Sequence, residues 1–249
     1  MGHQSHSVTN TKLNRIAWLS GRDSGKKFEC LMHLFNHESM RECFHELDPN
    51  KAMGIDGVNK MAYAENLDRN IDELITQMKK MAYRPGPVRE VLIPKEGKPG
   101  ATRPLGISNL EDKIVQKMTQ KILESMYEPL FLNCSHGFRP GRSCHTAIQE
   151  LQDHLYQNDI QTVIDIDLRN FFGTIDHSLL EDILRERIKD PKFMRYISRM
   201  FKSGVLTNGD LKISDEGVPQ GSLCKALHNE PYAKWNVMQS NSQNCLVIQ

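Results

Sequence analysis

The sequence predicts an α+β fold, rich in helix and with a small antiparallel sheet. Three observations carry that prediction. Apolar residues recur at intervals of three and four over most of the 249 positions. Two short stretches, beginning at Val88 and at Thr162, read as strands, the second because β-branched residues alternate with polar ones. Breaker-rich loops with Gly and Pro separate these elements.

A hydrophobic content of 39% over this length supports one large domain or two smaller ones with real cores. The net charge of +1 neither indicates nor excludes a polyanionic partner, because steering depends on local patches. One such patch exists: Lys79 to Arg103 holds seven basic residues against two acidic ones. The six cysteines lack paired spacing and no secretory leader is present, so a reduced, cytoplasmic protein is expected. No apolar run approaches the ~18 residues of a membrane span, and the polar first ten residues are expected to fray.

In chain order, helices are expected from about Leu13 to Leu47. Cys30, His33 and His37 fall on one side there, either as a packed or solvated face or as part of a metal cluster lacking a fourth ligand. The loop from Asp48 to Asn59 is rich in breakers, and Tyr63 to Met81 repeats as a helix ending in Lys79 and Lys80, where cations suit a C-terminus. After the strand from Val88 to Ile93 comes a loop in which prolines stiffen the chain and glycines admit close approach. It presents Lys95, Lys98 and Arg103 to phosphates, or is a solvated basic hairpin.

Ser108 and Glu111 have capping-box spacing before a core-facing helix through Met126. The turn from Asn133 to Arg142 places Phe138 beside Arg139, with Arg142 following, either as a plain loop or as a nucleic-acid contact. A helix from Ser143 to Tyr156 leads into the strand TVIDIDL, in which Asp165 and Asp167 share a face. Those acids either face solvent on an edge strand or bind a metal. Ser178 and Glu181 repeat the capping-box spacing, another helix covers Phe193 to Phe201, and the loop GVPQGS offers Gln220 as donor and acceptor.

In this order the segments GIDGV, VREVLIPK, RPLGI, EDKIVQ, EPLF, SHGFRPGRS, DLRNFF, IDH and GVPQGS resemble the reverse transcriptase/maturase proteins encoded by group II introns. The resemblance runs from about Met53 to Cys224. It implies a right-hand polymerase, with an N-terminal helical extension (1–50), fingers (51–160), a partial palm (161–224) and a divergent tail (225–249). It further implies an RNA-directed DNA polymerase that uses Mg2+, an intron RNA template, a DNA primer and deoxynucleoside triphosphates, with no membrane.

By the same match Asp167 is the first catalytic aspartate and a metal ligand, with the Leu168 carbonyl a further metal contact. Phe172 lies under the sugar, Lys95 and Arg103 hold the triphosphate, and Gln220 lies beside the nucleotide. Arg84, Arg89, Lys98, Arg139 and Arg142 contact RNA, while Asp165 supports the strand.

Two departures from the family are visible. Gly173 stands where an acid is common. After Cys224 the pattern gives way to an unrelated tail, and no Asp-Asp pair occurs anywhere in the sequence. A truncated or frameshifted form that does not polymerise alone is therefore expected, the alternative being a non-catalytic intron RNA-binding module that assists splicing.

Overall fold

The computed structural model describes residues 8–94, 97, 100–164, 173–207 and 209–217. The first helix, α1 (Val8–Arg22), already begins within the polar N-terminal stretch. It is followed by α2 (His37–Glu46), α3 (Lys60–Ala64) and α4 (Leu67–Lys79). Strands β1 (Val88–Pro94) and β2 (Thr102–Ile107) form a hairpin before α5 (Leu110–Tyr127). Helices α6 (Cys144–Gln157), α7 (His177–Arg187) and α8 (Pro191–Phe201) lead to a second hairpin, β3 (Val205–Thr207) and β4 (Asp210–Lys212).

The centre of the molecule is α5, whose Ile114, Val115, Met118, Ile122, Leu123 and Met126 are fully buried. Their spacing of three and four gives α5 a broad apolar side, and one contiguous core reaches from Leu13 to Phe201 around it. The N-terminal region belongs to that core. Phe35 meets Phe193 with ring centroids 6.1 Å apart, and Phe28 makes a parallel bridge to Ile188. Cys30, His33 and His37 do not share one helix: only Met32–Leu34 forms a short 3-10 turn there, and His37 turns to Asp68 at 3.4 Å.

The sheet has the order β2-β1-β3-β4 and is mixed. Both hairpins are antiparallel, but β1 and β3 run parallel, with Val88 opposite Val205 and Arg89 opposite Leu206. A parallel pair needs a long crossover, which α5 to α8 supply. Gly204 makes the closing turn at φ +77, against the Leu211 side chain and the Lys212 carbonyl.

Neither expected capping box forms. At α5 the cap is Asn109, whose side chain turns away to the 54–58 loop, while Glu111 accepts from the Tyr63 hydroxyl and Ser108 from Gln116. At α7 the cap is Asp176, which accepts from the Leu179 N–H. A carboxylate in that position also complements the helix dipole. Residues 161–164 carry no regular secondary structure, and Val163 and Ile164 are exposed, so the expected strand does not start at Thr162. Similarly, α6 buries only Ala147 and leaves Ile148 and Leu155 open.

The buried Tyr196 ties α8 to α4 by donating to the Met78 carbonyl at 2.7 Å. Tyr196→Phe is expected to lower stability by about 1 kcal/mol, the usual worth of one internal hydrogen bond. Urea denaturation measures it.

Candidate active site

Two segments some forty residues apart in sequence meet at one junction. Gly217 donates to the Ile175 carbonyl at 2.8 Å, and His177 donates through its backbone to the Asp215 carbonyl at 3.1 Å. Asp176 and Glu216 pair as an antiparallel bridge. The His177 ring is buried, stacks on Phe201 at 5.3 Å, and lies 2.6 Å from the Gly217 carbonyl through Nε2. Only a protonated nitrogen can donate to a carbonyl, so Nε2 carries the proton. His177 therefore fastens Gly217 to the start of α7.

Glycine is required at the contact itself. Gly217 has φ +82, and a Cβ there would lie 3.0 Å from the Gly173 carbonyl oxygen. The Gly173 backbone forms the floor for Gly217.

A second cluster fixes the base of the β1–β2 hairpin. The Asn109 side chain accepts from the Ile55 N–H at 3.0 Å, and Gly54 and Gly86 both close over Asn109, where any Cβ would fall within 2.4 Å of its side-chain atoms. Lys113 donates to the Ala52 carbonyl and Arg89 to the Met53 carbonyl, at 2.6 and 2.7 Å. Buried Asp112 accepts from the Tyr83 hydroxyl and the Gly86 N–H. The glycines of GIDGV thus serve close packing as well as turning.

Burial raises the Asp112 carboxyl to about 6, against the opposing pull of its two donors. An acid with a raised folded pKa favours folding when protonated. Its contribution is complete at low pH and is lost as pH rises through about 6. Asp112→Asn is expected to flatten the gain in stability seen on lowering the pH from 7 to 4, measured as urea midpoints across that range.

The expected site residues divide into three groups. Arg103 lies in strand β2 opposite Ile93, exposed on the hairpin rather than in a loop as expected from the sequence, because the hairpin turn begins only after Pro94 and ends by Thr102. Arg84 is exposed between α4 and β1, Arg89 is half-buried against Met53, and Arg142 is half-buried and donates to the Asn133 carbonyl. Asp167, Leu168, Phe172, Asp165, Lys95, Lys98 and Gln220 lie outside the described residues.

Arg139 is turned inward. Its side chain is 7% exposed, pairs with Glu128 at 2.9 Å, donates to the Leu132 and Ser135 carbonyls, and covers the Phe131 ring. With Nε, Nη1 and one Nη2 hydrogen turned inward, it organises the turn before α6. His136 assists from the buried side, between Thr146 and Glu150. His136 and His177 were not singled out from the sequence, since a histidine beside a turn has no periodic signature.

The described residues thus form a β-hairpin on a helical base, with residues 173–177 and 215–217 joined at one junction. Residues 93–227 match the family described as "Reverse transcriptase (RNA-dependent DNA polymerase)", and the chain belongs to that family. Among curated relatives, Protein YkfC of Escherichia coli K12 is 37% identical over 70% of this chain and 46% of its own length. The group II intron-encoded protein LtrA of Lactococcus lactis is 34% identical over 74% of this chain and 30% of its own. The chain thus spans less than half the length of these two relatives. A solved chain described as part of a "Partial Cas6-RT-Cas1--Cas2 complex" shares the fold, with a TM-score of 0.52 over 82% of this chain and 34% of that one, at 20% identity.

Members of this family work with divalent metal ions. Among the described residues no group of three or more His, Cys, Asp or Glu side chains is placed to hold one. The donors expected from the sequence, the Asp167 carboxylate and the Leu168 carbonyl, are hard oxygens of the kind such ions take.

Proposed function

We propose that residues 51–160 are the fingers and 161–224 part of the palm of a group II intron reverse transcriptase, which copies intron RNA from a DNA primer in the cytoplasm. The observation that supports this reading is the junction of residues 173–177 with 215–217, segments that adjoin the DLRNFF and PQG motifs in the sequence.

In this reading Asp167 and the Leu168 carbonyl bind Mg2+, which would align the reacting oxygens and offset developing charge. Phe172 excludes a ribose 2′-hydroxyl, Gln220 borders the nucleotide, and Lys95 and Arg103 hold the triphosphate of a deoxynucleotide. Arg84, Arg89, Lys98 and Arg142 steady the RNA backbone. Arg103→Ala is expected to weaken deoxynucleotide binding to a preformed RNA/DNA primer–template complex about tenfold, in line with losing one hydrogen bond to a charged group.

A second reading, an intron RNA-binding module that assists splicing, is favoured by one observation: the excess of basic residues from Lys79 to Arg103. The two part in one assay. Template-primed DNA synthesis with Mg2+ that is lost in Asp167→Ala supports the polymerase. Salt-sensitive RNA binding that survives that change, without synthesis, supports the module.

A further inference from the structure

Helix α8 has two chemically opposite sides. Phe193, Met194, Tyr196, Ile197, Met200 and Phe201 are buried in the core. Lys192, Arg195 and Arg199 follow one another at spacings of three and four on the other side, and Lys202 continues the line at the C-cap. The helix contains no acid, and the Asp190 cap is turned inward to the backbone of Leu31, Met32, Lys192 and Phe193. Over ten residues the row is about 15 Å long.

Further cations adjoin this row. Arg199 donates to the Met81 and Tyr83 carbonyls at 3.0 and 2.8 Å, which seats it beside exposed Arg84 and the end of α4, where Lys79 and Lys80 are also exposed. Burial, then Arg84 and Arg195, lower the proton affinity of the Arg199 guanidinium, a sign that like charges are held together here. Among the described residues the row makes one ion pair, the long 3.9 Å contact of Lys202 with Asp215. Like charges at i, i+4 cost a few tenths of a kcal/mol each, so a row without acids is mildly unfavourable unless an anion meets it.

We propose that Lys192, Arg195 and Lys202, with the charge of Arg199 behind them, form a docking stripe for the phosphate backbone of structured RNA, separate from the residues assigned above to nucleotide and template. A nucleic-acid strand presents one phosphate per ~3.4 Å of axis, so the stripe follows several in succession. Arginine suits this task through its planar, forked donors. A membrane surface does not fit, because an interfacial helix inserts its apolar side and that of α8 is in the core. The choice of RNA as the polyanion rests on the polymerase reading.

The test uses the full chain and a fluorescently labelled RNA stem-loop of about 20 base pairs without a primer end, titrated at about 50–200 mM KCl. The variant is K192Q/R195Q/K202Q; Arg199 is kept because it also holds the 81–83 backbone. Affinity is expected to fall 10- to 100-fold, with the slope of log K against log salt reduced by about two to three, as for loss of three phosphate contacts. The charge-matched R15Q/K27Q/K51Q is expected to stay within about threefold of the parent.

Equal losses in both variants, or an unchanged slope in the first, overturn the proposal. So does loss of binding to anionic vesicles or to polyglutamate with RNA binding intact. Primer–template binding with deoxynucleotide is measured on the same proteins. Its absence in the parent, with stripe-dependent stem-loop binding present, removes the polymerase reading and leaves the stripe. The opposite pattern removes the stripe alone.

Discussion

Asp190→Ala is expected to lower the unfolding free energy by about 4 kcal/mol and the melting temperature by on the order of 10 °C. One buried carboxylate accepts from four backbone N–H groups. Two belong to Leu31 and Met32 at 2.7 and 3.2 Å, and two to Lys192 and Phe193 at 3.0 and 3.1 Å. It therefore caps α8 and also clamps the N-terminal segment to it. Alanine leaves those donors without a partner, two of them near fully buried Phe193 and Leu31. Losing a cap alone costs about 1 kcal/mol. Stranding further buried donors adds 1–3 kcal/mol for each that water cannot reach. Asp190→Asn, which keeps one acceptor oxygen, is expected to fall between alanine and the parent. Thermal and urea unfolding measure the series, and a change under 1 kcal/mol for alanine would contradict the clamp.

His177→Ala carries the second large effect, about 3 kcal/mol, with consequences concentrated at the junction. The imidazole is buried, stacks on Phe201 and holds the Gly217 carbonyl. Removing it leaves a void in the core and an unpaired carbonyl, two penalties of comparable size. Amide exchange at Gly217 and His177, whose N–H groups bond the Ile175 and Asp215 carbonyls, is expected to accelerate at least tenfold while α5 amides change little. Uniform acceleration across the chain would mean that His177 supports the whole fold rather than this contact. His177→Gln, able to donate to the same carbonyl, is expected to recover part of the protection.

Much of the architecture was legible in the residues. The spacing of Ile114, Val115, Met118, Ile122 and Met126 placed the central helix, and Leu67, Ile71, Leu74, Ile75 and Met78 placed α4, because burial on one side of a helix leaves its period in the sequence. The motif order from GIDGV to GVPQGS pointed to the family that the comparison shows. Helix caps were less legible. Ser108 and Ser178 had the right partners three residues on, yet Asn109 and Asp176 took the cap positions. Glu111 had gone to Tyr63 and Glu181 to Arg185, ties that a local motif cannot anticipate.

By itself, then, the sequence determined where most helices lie, the composition of the core, and the family. Only the tertiary structure decided that β1 and β3 run parallel, that Arg139 is internal, where the basic stripe of α8 lies, and that residues 173–177 and 215–217 meet at one junction. The physical reason is common to all four. Local periodicity records which side of an element is buried. Pairings such as Val88 with Val205, Arg139 with Glu128, Arg199 with the Tyr83 carbonyl, or Gly217 with Ile175 depend on how separate elements dock, and docking leaves no repeating trace along the chain.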